Sequence, residues 1–207
     1  MFISKIVKLP VSDFGMPKFE IKIRWILIAI LLPCIIKGIY VLIFNGEYVS
    51  SNMNGNEMFN TLSAGVAFTG IAAGFVEEMV FRGVILNALK KRWNMKVAVI
   101  VPSMLFGIVH VLGQDFSIGS CLLVIIAGTM VGVMFSMIAI ESGSVWNSGI
   151  VHAIWNIVII GGGLAIGEKM DPYSVMTYVL DSKVFAITGG EFGIESSVIS
   201  LIGYIIC

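Results

Sequence analysis

Residues 118–140 read IGSCLLVIIAGTMVGVMFSMIAI, a stretch without a single Asp, Glu, Lys or Arg. A helix of about 20 apolar residues matches the thickness of the hydrocarbon core of a bilayer. Lipid offers no partner for backbone N–H and C=O groups, so an isolated stretch of this kind must satisfy them within its own helix. This stretch therefore predicts a membrane-spanning helix.

The rest of the 207-residue chain has the same character. Hydrophobic residues make up 57% of it and charged residues 13%, against about a quarter charged in soluble domains. This composition excludes a soluble monomer and predicts an all-α, polytopic bundle of about six transmembrane helices in the lipid bilayer. The further predicted spans are 25–44, 59–89, 97–112, 145–166 and 193–206.

The distribution of charge predicts the orientation of this bundle and excludes one class of partner. Lys and Arg total 13, Asp and Glu also total 13, and no basic surface suggests a nucleic acid. Most of the basic residues precede the first span or follow the second, whereas Lys169 and Lys183 lie on the opposite side. Basic residues favour the cytoplasmic side of short loops, so both termini are predicted to be cytoplasmic.

The polar segments complete the predicted organisation. Residues 1–24 mix lysines with prolines and acidic residues and are interpreted as a cytosolic lead-in, followed by a single membrane-embedded domain over 25–207. Residues 45–58, rich in Asn and Gly, predict a loop rather than a strand. Residues 168–192 are too polar to cross lipid, and their amphipathic middle is expected to lie at the interface.

A few polar residues interrupt the spans. An ionisable group at membrane depth costs several kcal/mol unless it is paired or hydrated, which makes each one a candidate for function. Both histidines of the chain are among them. The candidates are Glu77, Glu78 and Arg82 on the second span, His110 on the third, and His152 and Asn156 on the fifth.

The spacing of these residues narrows their geometry. Arg82 lies four residues after Glu78, so the two share a helix face and can form an ion pair. Glu77 is rotated by about 100° from Glu78 on a helix of 3.6 residues per turn, so it faces a different neighbour. His152 and Asn156, one turn apart, face the same side. Together the three spans predict a water-activating site with Glu77 as general base and with donors for an oxyanion.

Each of these features alone also has a structural interpretation. A carboxylate–arginine pair in a membrane is often a clamp, and a single His or Asn often only bonds a neighbouring helix. Their concentration on helices that can share one cavity favours function. Other features are interpreted as structural: Lys37 on the first span, the glycines of 127–132 and 161–163 as close helix packing, and Glu191 and Glu195 as interfacial.

Three motifs together carry a resemblance. They are EEMVFRG at 77–83, SMLFGIVH at 103–110 and SGSVWNSGIVHAIWN at 142–156. In this order they resemble the E-E-x-x-x-R, F-x-x-x-H and H-x-x-x-N motifs of the CAAX protease and bacteriocin-processing family, also called the Abi family. The resemblance covers a motif core of about 59–163.

This resemblance implies an intramembrane endopeptidase that acts on a membrane protein or peptide. Carried over to this chain, it implies that Glu77 and His110 activate the attacking water. His152 and Asn156 would hold the oxyanion or complete the site, and Glu78 and Arg82 would order it. The compact size of the chain suggests a bacterial protein, so the predicted location is the bacterial cytoplasmic membrane. Bacterial relatives process bacteriocins and other peptides or confer immunity to them.

Metal dependence stays open at this point. The family is commonly labelled a metalloprotease, and a metal-free, glutamate-activated water has also been argued for it. A zinc site needs about three protein ligands, which here would be His110, His152 and Glu77 on three separate helices. Zn²⁺ is thus the first candidate metal.

Two other functions stay open besides a peptidase. The same polar cluster is compatible with a non-catalytic membrane scaffold or immunity protein. It is also compatible with a small proton-coupled transporter that uses a Glu–His relay, although no repeated half-helix pattern supports a transporter.

Overall fold

The computed structural model describes residues 15–207, which form a mostly helical structure. Its elements, in chain order, are α1 (Ile23–Ile43), β1 (Gly46–Ser50), α2 (Gly55–Arg92), α3 (Met95–Val109), α4 (Ile118–Ser142), α5 (Val145–Ile160), β2 (Leu164–Gly167), β3 (Met176–Leu180), α6 (Phe185–Thr188) and α7 (Val198–Ile206).

Three helices, α1, α2 and α4, are long and apolar enough to cross a membrane, and the chain is an integral membrane protein. Helices α3 and α5 fall on two further predicted spans, but they have only 15 and 16 residues. Helix α7 has nine, fewer than the roughly 20 that cross a bilayer without help. The number of six spans and the cytoplasmic termini stay predictions.

Helix α1 shows how these helices divide lipid from protein contacts. One stripe is buried against the bundle: Trp25, Ala29, Pro33, Ile36 and Tyr40. On the opposite faces, apolar side chains such as Leu27 and Leu31 are exposed. A soluble helix would carry polar residues there, whereas in lipid the outer face is apolar as well. Lys37 donates to the backbone oxygens of Val158 and Leu164, consistent with its structural interpretation.

Helix α2 carries the first motif and is irregular both before the motif and within it. It begins with a capping box, in which the Asn54 side chain accepts from the backbone N–H of Glu57 and the Glu57 side chain accepts from that of Asn54. Two π-helical stretches, Gly65–Ala72 and Met79–Ile85, flank the α-helical turns Ala73–Glu78. π-Helical turns are rare and occur frequently at functional sites.

Small residues bring the helices that carry the motifs close together. A Cβ on Gly74 of α2 would lie 2.7 Å from the backbone nitrogen of Ala153 on α5, and one on Gly128 of α4 would lie 2.6 Å from Cα of Gly107 on α3. Backbones approach this closely only where a side chain is missing. The predicted role of the 127–132 glycines in helix packing is confirmed at Gly128.

One part of the all-α prediction is wrong. The predicted loop 45–58 contains β1, which pairs antiparallel with β3, with Tyr48 opposite Tyr178, and β2 pairs with β3 in parallel. The strands form a small sheet in the order β1-β3-β2 beside one end of the bundle. The partner of β1 lies about 130 residues later in the chain. The local composition, rich in Asn and Gly, therefore does not indicate this pairing.

The described part of the predicted lead-in contacts the start of α5. The backbone N–H of Lys22 donates to Asn147 Oδ1 at 2.8 Å, and Trp146 Nε1 donates to the backbone oxygen of Pro17 at 2.9 Å. Residues 1–14 of the lead-in lie outside the described part of the chain. Its cytosolic location stays a prediction.

Candidate active site

The predicted ion pair of Glu78 and Arg82 lies in the centre of the bundle. Arg82 Nη1 is 2.7 Å from Glu78 Oε1, and both residues are fully buried. Arg82 Nη2 also donates to the backbone oxygen of Gly132 on α4 at 3.0 Å. The guanidinium lies over the rings of Phe106 and Phe135, 4.6 and 5.2 Å from their centroids. A cation so enclosed needs both a carboxylate and aromatic faces to offset its desolvation.

His152 is held by this buried pair. Its Nδ1 lies 3.2 Å from Glu78 Oε1, and its ring stacks on Phe135 with centroids 4.6 Å apart. Since a carboxylate oxygen accepts, Nδ1 carries the proton and donates to Glu78. In neutral His152, Nε2 is therefore an unprotonated acceptor. Gly74 makes the contact possible, because it lets α5 approach α2 one residue from His152.

Glu77 faces a different direction from Glu78, as the helical spacing predicts. Its side chain is 33% exposed, and Oε2 lies 3.9 Å from His152 Nε2. This separation is longer than a hydrogen bond. No other group in the described part of the chain bonds Glu77 Oε2, although this atom is itself buried. The two neighbouring glutamates thus have opposite environments, one closed by partners and one open.

His110 lies at the C-terminal end of α3 and turns back onto its own helix. Its Nδ1 donates to the backbone oxygen of Phe106 at 2.6 Å, and the two rings are 4.5 Å apart. The F-x-x-x-H spacing thus fixes the orientation of the imidazole. As in His152, neutral His110 presents an unprotonated Nε2.

Asn156 joins α5 to the first π-helical stretch of α2. Its Nδ2 donates to the backbone oxygen of Thr69 at 2.9 Å. A primary amide has two N–H groups, so one remains for another acceptor. Asn156 is buried, and so is His152, which lies one turn earlier on α5.

Glu77, His110, His152 and Asn156 all line one cavity of about 240 Å³ among α2, α3, α4 and α5. The polar groups of the three predicted spans thus lie around one cavity, and the catalytic roles of these residues stay predictions. Glu78 and Arg82 lie behind the cavity and hold His152.

The cavity also contains residues that the sequence analysis did not place there. Glu195, interpreted as interfacial, lies in its wall and accepts from Trp155 Nε1 at 2.7 Å. Thr69, Phe192 and Tyr204 are lining residues too. No spacing signal connects the tail to the motif helices. The only sequence signal for Glu195 is that this carboxylate lies next to an apolar stretch.

The predicted zinc ligands do not form a metal site in this conformation. Across residues 15–207, no three His, Cys, Asp or Glu side chains gather closely enough to hold a metal ion. Nδ1 of each histidine is already bonded, to Glu78 in one case and to Phe106 in the other. The donor set therefore does not fit a zinc ion here, and the assignment of His110, His152 and Glu77 as ligands stays a prediction.

Comparison with known families agrees with the motifs. Residues 59–158 match the sequence model of a family described as type II CAAX prenyl endopeptidase Rce1-like. This segment contains all six predicted site residues, and the resemblance to CAAX proteases is confirmed. A search of curated proteins and a search of solved structures each found no match.

Proposed function

We propose that the protein hydrolyses a peptide bond of a membrane-associated protein or peptide, since residues 59–158 match the model of the Rce1-like CAAX endopeptidases. The observation that carries the proposal is the gap of 3.9 Å between Glu77 Oε2 and His152 Nε2 inside a cavity of the bundle. A carboxylate and an imidazole acceptor at this separation can both contact one water molecule at ordinary hydrogen-bond distance.

The first step assigns the water to Glu77. The carboxylate takes a proton from the water while the oxygen attacks the carbonyl carbon of the substrate. Glu77 suits this role because Oε2 has no competing partner in the described chain. Glu78 does not, because it is fully buried outside the cavity and its Oε1 accepts from both Arg82 and His152. His110 and His152 each direct an Nε2 acceptor to the water or its proton.

The second step forms and collapses the oxyanion. The spare N–H of Asn156 is the donor that stabilises the negative oxygen. The C–N bond then breaks, and the proton held by Glu77 passes to the leaving amine. The Glu78–Arg82 pair keeps His152 oriented throughout.

The location and partners follow from the same proposal. The protein works in a membrane, and the bacterial cytoplasmic membrane is the proposed one. Its partners are a peptide or membrane-protein substrate and the lipid bilayer, and processing of a bacteriocin-like peptide or immunity to one is the proposed biological context.

The test compares cells that carry the wild-type protein with cells that carry Glu77→Gln at matched abundance. This substitution keeps the volume of the side chain and removes the base. Mass spectrometry of membrane and secreted peptides should show a product with a new terminus only in the wild type. Matching peptide profiles, together with rescue of a deletion phenotype by Glu77→Gln, would instead establish a scaffold or immunity protein.

A further inference from the structure

Glu195 reaches the cavity from a part of the chain that the motifs do not cover. It lies in a single 3₁₀ turn, Ile194–Ser196, just before α7. Oε1 of Glu195 accepts from Trp155 Nε1 on α5, and its backbone oxygen accepts from the hydroxyl of Tyr204 at 2.9 Å. These contacts attach the turn to both α5 and α7.

Buried hydroxyl groups fix the position of this turn. Ser196 Oγ donates to the backbone oxygen of Gly189, and Ser200 Oγ donates to that of Ile194, each at 2.6 Å. Gly193, at φ +94°, supplies a left-handed backbone conformation that favours glycine. Glu195 is therefore held in place by the fold and does not belong to a loose tail.

No cation of the described chain lies within ion-pair distance of the Glu195 carboxylate, although His110, His152 and Lys37 attract it from farther away. Across residues 15–207, no Lys, Arg or His forms an ion pair with Glu195, and Oε2 has no hydrogen-bond partner. The ammonium of Lys37 donates to the backbone oxygens of Val158 and Leu164 and forms no direct ion pair with Glu195. One carboxylate oxygen of Glu195 is thus anchored by Trp155, and the other is free of hydrogen bonds, in a residue that lines both cavities.

Glu195 also lies between the cavity that Glu77 lines, called the catalytic cavity below, and a larger second cavity. The second cavity, about 730 Å³, is bounded by β2, the start of α4 and residues 185–195. Ile160, Phe192 and Glu195 line both cavities, so this is where they join. Four carboxylates and one ammonium line the second cavity: Glu168, Asp171, Glu191, Glu195 and Lys169.

We propose that the second cavity receives the substrate chain and that Glu195, at its junction with the catalytic cavity, selects peptides with a Lys or Arg close to the scissile bond. The proposal rests on the peptidase function proposed above. A substrate cation would occupy the free oxygen of Glu195 and complement the excess of carboxylates around it. A partly desolvated pair of this kind discriminates between charged and neutral side chains.

The experiment uses the full chain reconstituted in liposomes and a library of short peptides of randomised sequence. Mass spectrometry identifies the cleaved bonds for the wild type, Glu195→Gln and Glu195→Lys. The control variants are Glu77→Gln, which lacks the base, and Glu47→Gln, which alters an exposed carboxylate outside both cavities. Gln at position 195 can still accept from Trp155 through its amide oxygen.

We expect wild type and Glu47→Gln to cut preferentially next to Lys or Arg. The preference over neutral residues should fall about tenfold in Glu195→Gln, and Glu195→Lys should favour acidic residues. A wild type that cuts without preferring Lys or Arg would overturn the proposal, and so would an unchanged preference in Glu195→Gln. If the wild type and Glu77→Gln yield the same peptides, the proposed peptidase function itself fails.

Discussion

Glu77 and Glu78 are neighbours in the chain, yet they lie in opposite environments. Glu78 is completely buried, and its Oε1 accepts from Arg82 and His152. Glu77 is one third exposed and lines a cavity. One helical step of about 100° separates the two directions. A single helix can therefore supply both a fixed ion pair and an unpaired carboxylate that is able to act as a base.

Each environment suits a different task. A charge that is paired and enclosed by aromatic rings is held in place, which makes it suitable for orienting His152. A carboxylate without a partner is free to take a proton from water. Exchanging one side chain at a time should therefore separate loss of chemistry from loss of folding.

The largest expected effect is that of Glu77→Gln on the rate of hydrolysis. We expect a loss of about 10³-fold or more, because a general base contributes about 10²–10⁴-fold and its position is not replaced by another carboxylate. The thermal unfolding temperature in detergent should stay close to that of the wild type, because no described hydrogen bond depends on Glu77 Oε2. Steady-state turnover of an identified substrate measures the first quantity.

Glu78→Gln is the matched comparison for Glu77→Gln, since it makes the same chemical change one residue away. It should lower stability as well as turnover. If Glu78→Gln lost only turnover while Glu77→Gln unfolded the protein, the assignment of the two roles would have to be reversed.

The second effect is that of Arg82→Ala on stability. Removing the arginine leaves Glu78 as an uncompensated buried carboxylate, at a cost of about 3–5 kcal/mol. Denaturant unfolding in mixed micelles measures this difference. Arg24→Ala is the control, because Arg24 pairs with Glu141 at a half-exposed position, where an ion pair contributes about 1 kcal/mol or less. Equal stabilities of Arg82→Ala and wild type would remove the clamp role.

The sequence predicts those parts of the molecule whose signals come from residues that are close together in the chain. The i,i+4 spacing within α2 is local, and the Glu78–Arg82 pair was predictable from it. The convergence of α2, α3 and α5 was predictable because an ionisable group in lipid is stabilised when it pairs with another. The β1–β3 pairing and the position of Glu195 depend on contacts between distant segments, and their local sequences look like a polar loop and an interfacial turn.

The irregular backbone of α2 could not be predicted from the sequence either. Its two π-helical stretches contain no proline, the residue that most strongly breaks a helix. The first stretch packs closely against α5: at Gly65 and Gly70, an added Cβ would meet Gly161 and Ile157 on or next to that helix. Such a contact appears only once the helices are assembled.

The third effect is that of Asn156→Ala on turnover. If the spare N–H of the amide stabilises the oxyanion, its removal should lower kcat about a hundredfold. The lost bond to Thr69 should cost about 1 kcal/mol of stability. Comparing kcat with the unfolding free energy separates the two contributions. A variant with near-normal kcat would leave Asn156 only the role of joining α5 to α2.

The smallest effect is that of Gly74→Ala, which changes no polar group and tests the approach of α5 to α2. The added methyl would lie 2.7 Å from the backbone nitrogen of Ala153, so the two helices must move apart. Overpacking of this kind costs about 1–3 kcal/mol, and it should also lengthen the contact of His152 with Glu78 and lower turnover. Gly38→Ala on α1 is the matched control, because a Cβ there meets nothing within 4 Å. Should Gly74→Ala behave like Gly38→Ala in both stability and turnover, the close approach at Gly74 would not be what holds His152 against the buried pair.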